Sequence, residues 1–289
     1  MPRPAGPPTV RLRRLAAELR ALRTEAELTR EQVELQTGVN QATLWRLEKG
    51  QAKPHNGTLE TLFDLYGVDE ARRRNLIELA RGAKSPGWLR QYPHYSDAIS
   101  DGYAAYMSFE SEAKSVTNYE SLLIPGLLQT EGYARTIMVD GFGADTETVE
   151  RRVQVRMERQ GILSPQRAGR APLEFWAVID EAALRREVGG LSVMRAQLGR
   201  LVELGELPNV TVQVIPFDRG HYRGMDNSFS RLRFGSGVPD IVHVEGIAGD
   251  LFLESEAEVD RFGLVFDHLR ATALSPRDSS ALIAAMMRD

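Results

Sequence analysis

The chain contains no cysteine. That excludes disulfides, thiolate nucleophiles and cysteine-ligated zinc, and it suits a reducing interior, so the expected location is the cytoplasm. No stretch approaches the roughly 18 uninterrupted apolar residues of a membrane span, and the opening MPRPAGPPTVRLRRL has neither an apolar h-region nor a small-residue cleavage pattern. No membrane partner is expected. Catalytic signatures are missing too: there is no phosphate-cradling glycine loop, no HExxH pair and no GxSxG elbow. His55, His94, His221, His243 and His268 are scattered without metal-ligand spacing, so neither a metal nor another cofactor is expected. Glu110, Glu112, Asp180 and Glu181 are of a type that does acid–base work, but a solvated helix start or face accounts for them more simply. The expectation is a protein that is not an enzyme.

What the chain does have is length and an uneven charge. Its 289 residues with 42% hydrophobic composition are enough to bury two cores. The net charge of −4 hides an asymmetry. Residues 1–90 hold 16 lysines and arginines against 11 acidic residues, whereas residues 91–289 hold 20 against 29. A basic module joined to an acidic one hints at nucleic-acid binding by the first.

The basic end is rich in helix punctuation. Leu12, Leu15, Ala16, Leu19 and Leu22 recur at helical spacing between Val10 and Ala26, with arginines on the other face. Thr29 and Gln32 form a capping-box pattern for a second helix over Arg30 to Thr37, and Leu28 with Val33 makes a hydrophobic staple. Gly38 supplies the positive φ that ends this helix, and Asn40 caps a third over Gln41 to Lys49, closed by Gly50. GTLETLFDLYGV and DEARRRNLIELARGA give a fourth and a fifth helix. The expected divisions are a disordered arm over 1–10, a helical domain over 11–84, a linker over 85–100 and a larger domain over 101–289.

With Leu44 and Leu47 as the buried stripe of the third helix, 100° per residue turns Ala42, Thr43, Arg46 and Lys49 away from it, and Gln41 lies at the helix start. An amide, a hydroxyl, a methyl and two cations near a helix N-terminus are groups that hydrogen-bond base edges, contact thymine methyls and neutralise phosphates. The segment LTREQVELQTGVNQATLWRLEKGQAKP resembles the phage-repressor-like helix-turn-helix family, also called the xenobiotic-response-element family. The resemblance implies that the third helix enters the major groove, with Gln41, Ala42, Thr43 and Arg46 at base-facing positions. It places Arg30, Asn40, Lys49 and Lys53 at phosphate or flanking positions. It also implies a structural pair between Arg23 and Glu48, alongside Gly38, Leu44 and Leu47 as framework. Trp45 stands where the family has a small polar residue; it is expected to pack on a neighbouring helix, with stacking on sugar or covering a dimer face as alternatives.

In the acidic part, DGYAAYMSFESEAKSV, TEGYARTIMV, DTETVERRVQVRMERQGIL and VMRAQLGRLVELG read as helices, and LEFWAVID, NVTVQVIPF, NSFSRLRF, DIVHVEG and DLFLES as extended segments. NYESLLIPGLLQ is expected in the core or a dimer seam. DRGHYRGMDNSF is taken as a solvent-exposed hairpin able to line a pocket or meet a partner, and His243 as a packed or half-exposed strand residue. SPRDSSALIAAMM is expected to end the chain as a helix capped by Ser275 with Pro276 at its first position. The order of these segments resembles the actinobacterial WhiJ-like, antitoxin-like regulators, often encoded beside a small partner protein.

The expected fold class is therefore α+β, with an N-terminal five-helix helix-turn-helix domain and a larger C-terminal α+β domain carrying a small, mainly antiparallel sheet. The expected function is a sequence-specific transcriptional regulator, a repressor, associated with the nucleoid. It would be a homodimer reading paired half-sites in double-stranded DNA, and its C-terminal domain would respond to a small neighbour-encoded protein or to a ligand. The alternative is an antitoxin-like module that captures a small partner, with DNA contact secondary.

Overall fold

The computed structural model describes residues 9–82, 99–142, 145–165, 170–235, 238–246 and 249–288. The first eight residues of the expected arm and nearly all of the expected linker lie outside the described residues. The described residues form two compact units.

The first unit contains α1 (Val10–Glu25), α2 (Arg30–Thr37), α3 (Gln41–Glu48), α4 (Asn56–Leu65) and α5 (Glu70–Gly82). Their inward residues, among them Leu15, Leu19, Val33, Leu44, Leu59 and Phe63, form one core. Local chemistry sets the boundaries. Thr29 accepts from Gln32 N while the Gln32 side chain returns to Thr29 N, completing the capping box. Gly38 ends α2 at φ 72°, a conformation closed to most side chains, and the Asn40 carboxamide then accepts from Ala42 N at 2.9 Å to start α3. Residues Ala104–Glu112 of α6 (Asp101–Glu112) belong to this unit as well, with the Arg13 guanidinium 5.7 Å from the Phe109 ring centroid.

The second unit holds a six-stranded sheet. In chain order its elements are β1 (Ser115–Glu120), α7 (Glu131–Phe142), α8 (Thr146–Arg159), β2 (Glu174–Asp180), α9 (Glu181–Arg185), α10 (Leu191–Gly205), β3 (Val210–Ile215), β4 (Phe229–Arg233), β5 (Ile241–Gly246), β6 (Gly249–Leu253), α11 (Glu256–Thr272) and α12 (Pro276–Met286). The strand order is β3-β2-β1-β4-β5-β6. The pairings β1–β4, β4–β5 and β5–β6 are antiparallel, as expected of the sheet's majority, while β1–β2 and β2–β3 are parallel. Each parallel pairing is bridged by helices, as a crossover requires. The sheet is thus mixed, and β1 is the seam between its two halves.

Several segments depart from expectation. β1 was not expected as a strand: its first two residues were expected to end a helix and the rest to open the prolyl segment; SVTNYE is too short and polar to show alternation, yet Val116 and Tyr119 are fully buried. α11 was not expected, although Val259, Phe262, Phe266 and Leu269 follow helical spacing and Ser255 caps it by accepting from Glu258 N. This helix covers the sheet face that carries Tyr119, Val178, Phe229 and Val242. DRGHYRGMDNSF is no hairpin, because β3 and β4 are separated by β2 and β1; it crosses the strand ends and buries Tyr222. Ser275 and Pro276 start α12 as expected, and Ser279 of that helix accepts from Val214 N at 2.9 Å, satisfying part of the edge of β3 that no strand pairs.

The prolyl segment after β1 enters the core through Ile124, Leu127 and Leu128, and irregular backbone buried there needs side-chain partners. Gln129 Nε2 donates to Ile124 O at 2.7 Å, Gln197 Nε2 to Leu128 O at 2.8 Å, and Gln197 Oε1 accepts from Thr130 N at 2.7 Å. At the adjacent strand ends, the Tyr119 and Tyr222 hydroxyls lie 2.7 Å apart and Tyr222 donates to Asp180, whose other oxygen caps α9 by accepting from Ala182 N. Truncating Tyr222→Phe leaves Asp180 and Tyr119 short of a buried partner. A loss of about 1–3 kcal/mol is expected for the sheet-bearing unit, read from its urea-unfolding midpoint.

Candidate nucleic-acid interface

The third helix has one anchored face and one open face. Leu44 and Leu47 are buried, and so is Glu48, whose side chain has no solvent exposure. A carboxylate in that position requires cations. Arg23 Nε of α1 donates to Glu48 Oε1 at 2.5 Å, and Arg30 Nε of α2 donates to Glu48 Oε2 at 2.9 Å. Arg23 also donates to Leu28 O at 2.8 Å, tying down the α1–α2 turn. The hydrogen bond to Glu48 raises the Arg23 guanidinium further above its ordinary value, against the opposing effect of burial. One acidic side chain therefore joins all three helices.

On the open face, Asn40, Gln41, Ala42, Arg46 and Lys49 are exposed, and Thr43 and Lys53 are half-buried. Arg46 lies back along its own helix, with Nε 3.3 Å from Ala42 O and a terminal nitrogen 3.4 Å from Thr43 Oγ1. Arg30, assigned by resemblance to a phosphate or flanking position, has its guanidinium on Glu48 and keeps 34% of its side-chain surface exposed. Trp45 leaves 41% of its surface in solvent, so packing on its own unit is partial. Sequence reasoning missed Glu34 of α2. Its two carboxylate oxygens accept from Asn40 Nδ2 at 3.0 Å and from Gln41 Nε2 at 2.7 Å. No apolar period or cap marks such a residue.

Of the other titratable residues singled out in the sequence, Glu110 and Glu112 belong to the first unit and Asp180, Glu181 and His243 to the second. Glu110, Asp180 and Glu181, expected on solvated faces, are buried instead at 1%, 6% and 6% exposure. Glu181 is engaged by Arg185 at 2.8 Å and by Phe217 N at 2.8 Å, a framework role. Glu112 lies 4.0 Å from Arg11. His243 is packed, with Nε2 2.7 Å from Asp250 Oδ1. Among the described residues, no group of three histidine, aspartate or glutamate side chains is placed to hold a metal ion, and no helix is long and apolar enough to cross a membrane. Burial pushes the Tyr119 phenol up to about 12, and burial followed by the Asp180 carboxylate pushes Tyr222 up as well, so both stay protonated at neutral pH.

Helices of this order and turn, presenting an exposed polar face at the start of α3, define the helix-turn-helix class. Residues 14–76 match the family described as a helix-turn-helix domain, which supports a DNA-binding regulator. Residues 103–285, well over half of the chain, match the family described as a domain of unknown function (DUF5753), and the chain belongs to that family. No curated protein and no solved structure matches the chain.

Two outcomes follow from these charges. Glu48→Ala strands Arg23 and Arg30 in a part-buried site. The N-terminal unit is expected to lose about 2–4 kcal/mol, at the lower end for broken buried pairs because both arginines reach solvent, as measured by chemical denaturation. The second concerns Glu120, whose carboxyl is enclosed by Asn118 and Ser228 although the residue keeps some exposed surface. Burial pushes it up to about 7 from an ordinary 4.5, with hydrogen bonds opposing the rise and nearby Glu245 adding to it. The folded form then holds a proton that the unfolded chain releases between those values. Stability is greatest below the unfolded value and falls as pH rises through 7, by an amount on the order of 1–3 kcal/mol. Glu120→Gln is expected to flatten that decline in urea midpoints taken from pH 5 to pH 8.

Proposed function

We propose that the protein is a sequence-specific transcriptional repressor that binds double-stranded DNA as a homodimer. The two copies of α3 would lie in the major groove of half-sites about 10 bp apart. The observation that carries this reading is the exposed row Gln41, Ala42 and Arg46 along α3, opposite the anchored Leu44, Leu47 and Glu48. Gln41, Ala42, Thr43 and Arg46 read bases, while Asn40, Lys49 and Lys53 meet phosphates or flanking positions. Arg30 serves the backbone only with whatever hydrogen-bonding capacity its pairing with Glu48 leaves free. Arg23, Glu48, Gly38, Leu44 and Leu47 hold the frame.

The C-terminal domain, in this reading, dimerises the protein and responds to a small partner protein or ligand, as its resemblance to the WhiJ-like, antitoxin-like regulators implies. The setting is the cytoplasm and its nucleoid. The acidic balance of residues 91–289 also favours a second reading, in which that half captures a small partner and DNA contact is incidental. Co-purification of a neighbour-encoded small protein with a chain that enriches no DNA motif would establish the second reading over the first.

Selection of bound fragments from randomised duplexes at near-physiological salt tests the first reading. The wild-type chain is expected to enrich a paired motif, and Arg46→Ala to relax one base position in it by about 1–3 kcal/mol. Lys53→Ala should weaken all duplexes alike and lower the salt slope by about one. Equal loss on motif and random DNA for Arg46→Ala would count against base reading.

A further inference from the structure

Glu34 stands in an unusual place for a carboxylate, beside a helix face proposed to approach a polyanion. Its charge is compatible with the amino-terminal end of α3, where the helix dipole favours negative charge. Its hydrogen bonds are more informative. Asn40 is fixed at both ends, since its Oδ1 caps Ala42 N and its Nδ2 donates to Glu34. Gln41 is fixed at one end only, with Nε2 turned onto Glu34 at 2.7 Å. An amide is planar, so turning its nitrogen toward Glu34 turns Oε1 the other way.

The alternative orientation, with Gln41 Nε2 facing the groove, would place Oε1 against the Glu34 carboxylate, acceptor against acceptor. Glu34 therefore selects one of the two amide orientations. In that orientation the start of α3 presents the carbonyl oxygen of Gln41, with further acceptor lone pairs on Glu34 beside it. Two base edges in the major groove offer a donor: adenine through its N6 amine and cytosine through its N4 amine. Guanine and thymine present acceptors, and thymine a methyl, at that edge.

We propose that Glu34 is a specificity-determining residue, which orients the Gln41 amide so that α3 selects an amine-bearing base, adenine or cytosine, at the position facing Gln41. The inference rests on the base-reading function proposed above. It assigns Glu34 a role through Gln41 rather than through affinity, because a carboxylate near phosphates opposes binding to any duplex.

The test uses the full chain with randomised 20-bp duplexes at about 0.15 M salt, in the wild type, Glu34→Ala, Gln41→Ala and the double variant, followed by competition of the enriched duplex against random duplex. The wild type is expected to fix adenine or cytosine at the one position per half-site that Gln41→Ala relaxes. Glu34→Ala should relax that same position about tenfold while leaving the rest of the motif intact, and should strengthen binding to random duplex. The double variant should discriminate there no worse than Gln41→Ala alone, since the two residues act as one unit. Glu34→Gln, which keeps the shape and replaces one acceptor oxygen with a donor, is expected to relax the position too and guards against an effect of misfolding. Guanine or thymine at the Gln41-dependent position would overturn the proposal, as would a Glu34→Ala preference within about twofold of wild type. A wild-type chain that enriches no motif would instead overturn base reading itself, and it is recognised before any variant is measured.

Discussion

The carboxylate of Glu48, withdrawn from solvent on α3, needs more than one cation, and it finds one on each of the two preceding helices. Apolar side chains alone fix the depth of a helix in a core better than its rotation, because neighbouring leucines can exchange holes at small cost. A buried charge with two directional partners does not exchange. The Arg23–Glu48–Arg30 junction therefore sets the rotation of α3 about its own axis, and with it which residues face outward. Gln41, Ala42 and Arg46 are displayed because Glu48 is held down. Arg30, which the resemblance puts at a phosphate or flanking position, is also part of this junction.

The second unit uses polar groups differently. Its buried glutamines close the backbone of the prolyl segment, and its two tyrosines and Asp180 join the ends of strands that the crossing connection passes over. Such networks specify one arrangement among many of similar hydrophobic content. Within them Asp180 caps a helix and Glu181 is engaged by Arg185, both framework roles.

The legibility of the sequence follows the range of the interactions involved. The capping box at Thr29, the turn at Gly38 and the cap at Asn40 are each decided within four residues, so the first three helices and their boundaries could be read directly. The resemblance supplied the Arg23–Glu48 pairing, whose partners lie 25 positions apart. Arg30 on Glu48 and Glu34 on Gln41 were not legible, because a half-exposed charge leaves no period in the sequence. In the larger unit, strands with alternation such as VTVQVI were clear. β1 was not, since its strand character comes from neighbours on both sides rather than from its own residues. The parallel half of the sheet was hidden for a similar reason: pairing direction depends on where α7, α8 and α10 deliver the chain. α11 was legible and overlooked.

The position of β1 also orders events in time. It is the first strand made, yet it sits between β2 and β4, and Asn118 of β1 meets Phe229 of β4 across 111 positions of sequence. Contacts at that range close slowly and only once the later strand has been synthesised. The five N-terminal helices depend on far shorter separations. During synthesis the protein is thus expected to have a finished helix-turn-helix while its sheet is still half-made, so the open face of α3 would be on display before the larger unit exists.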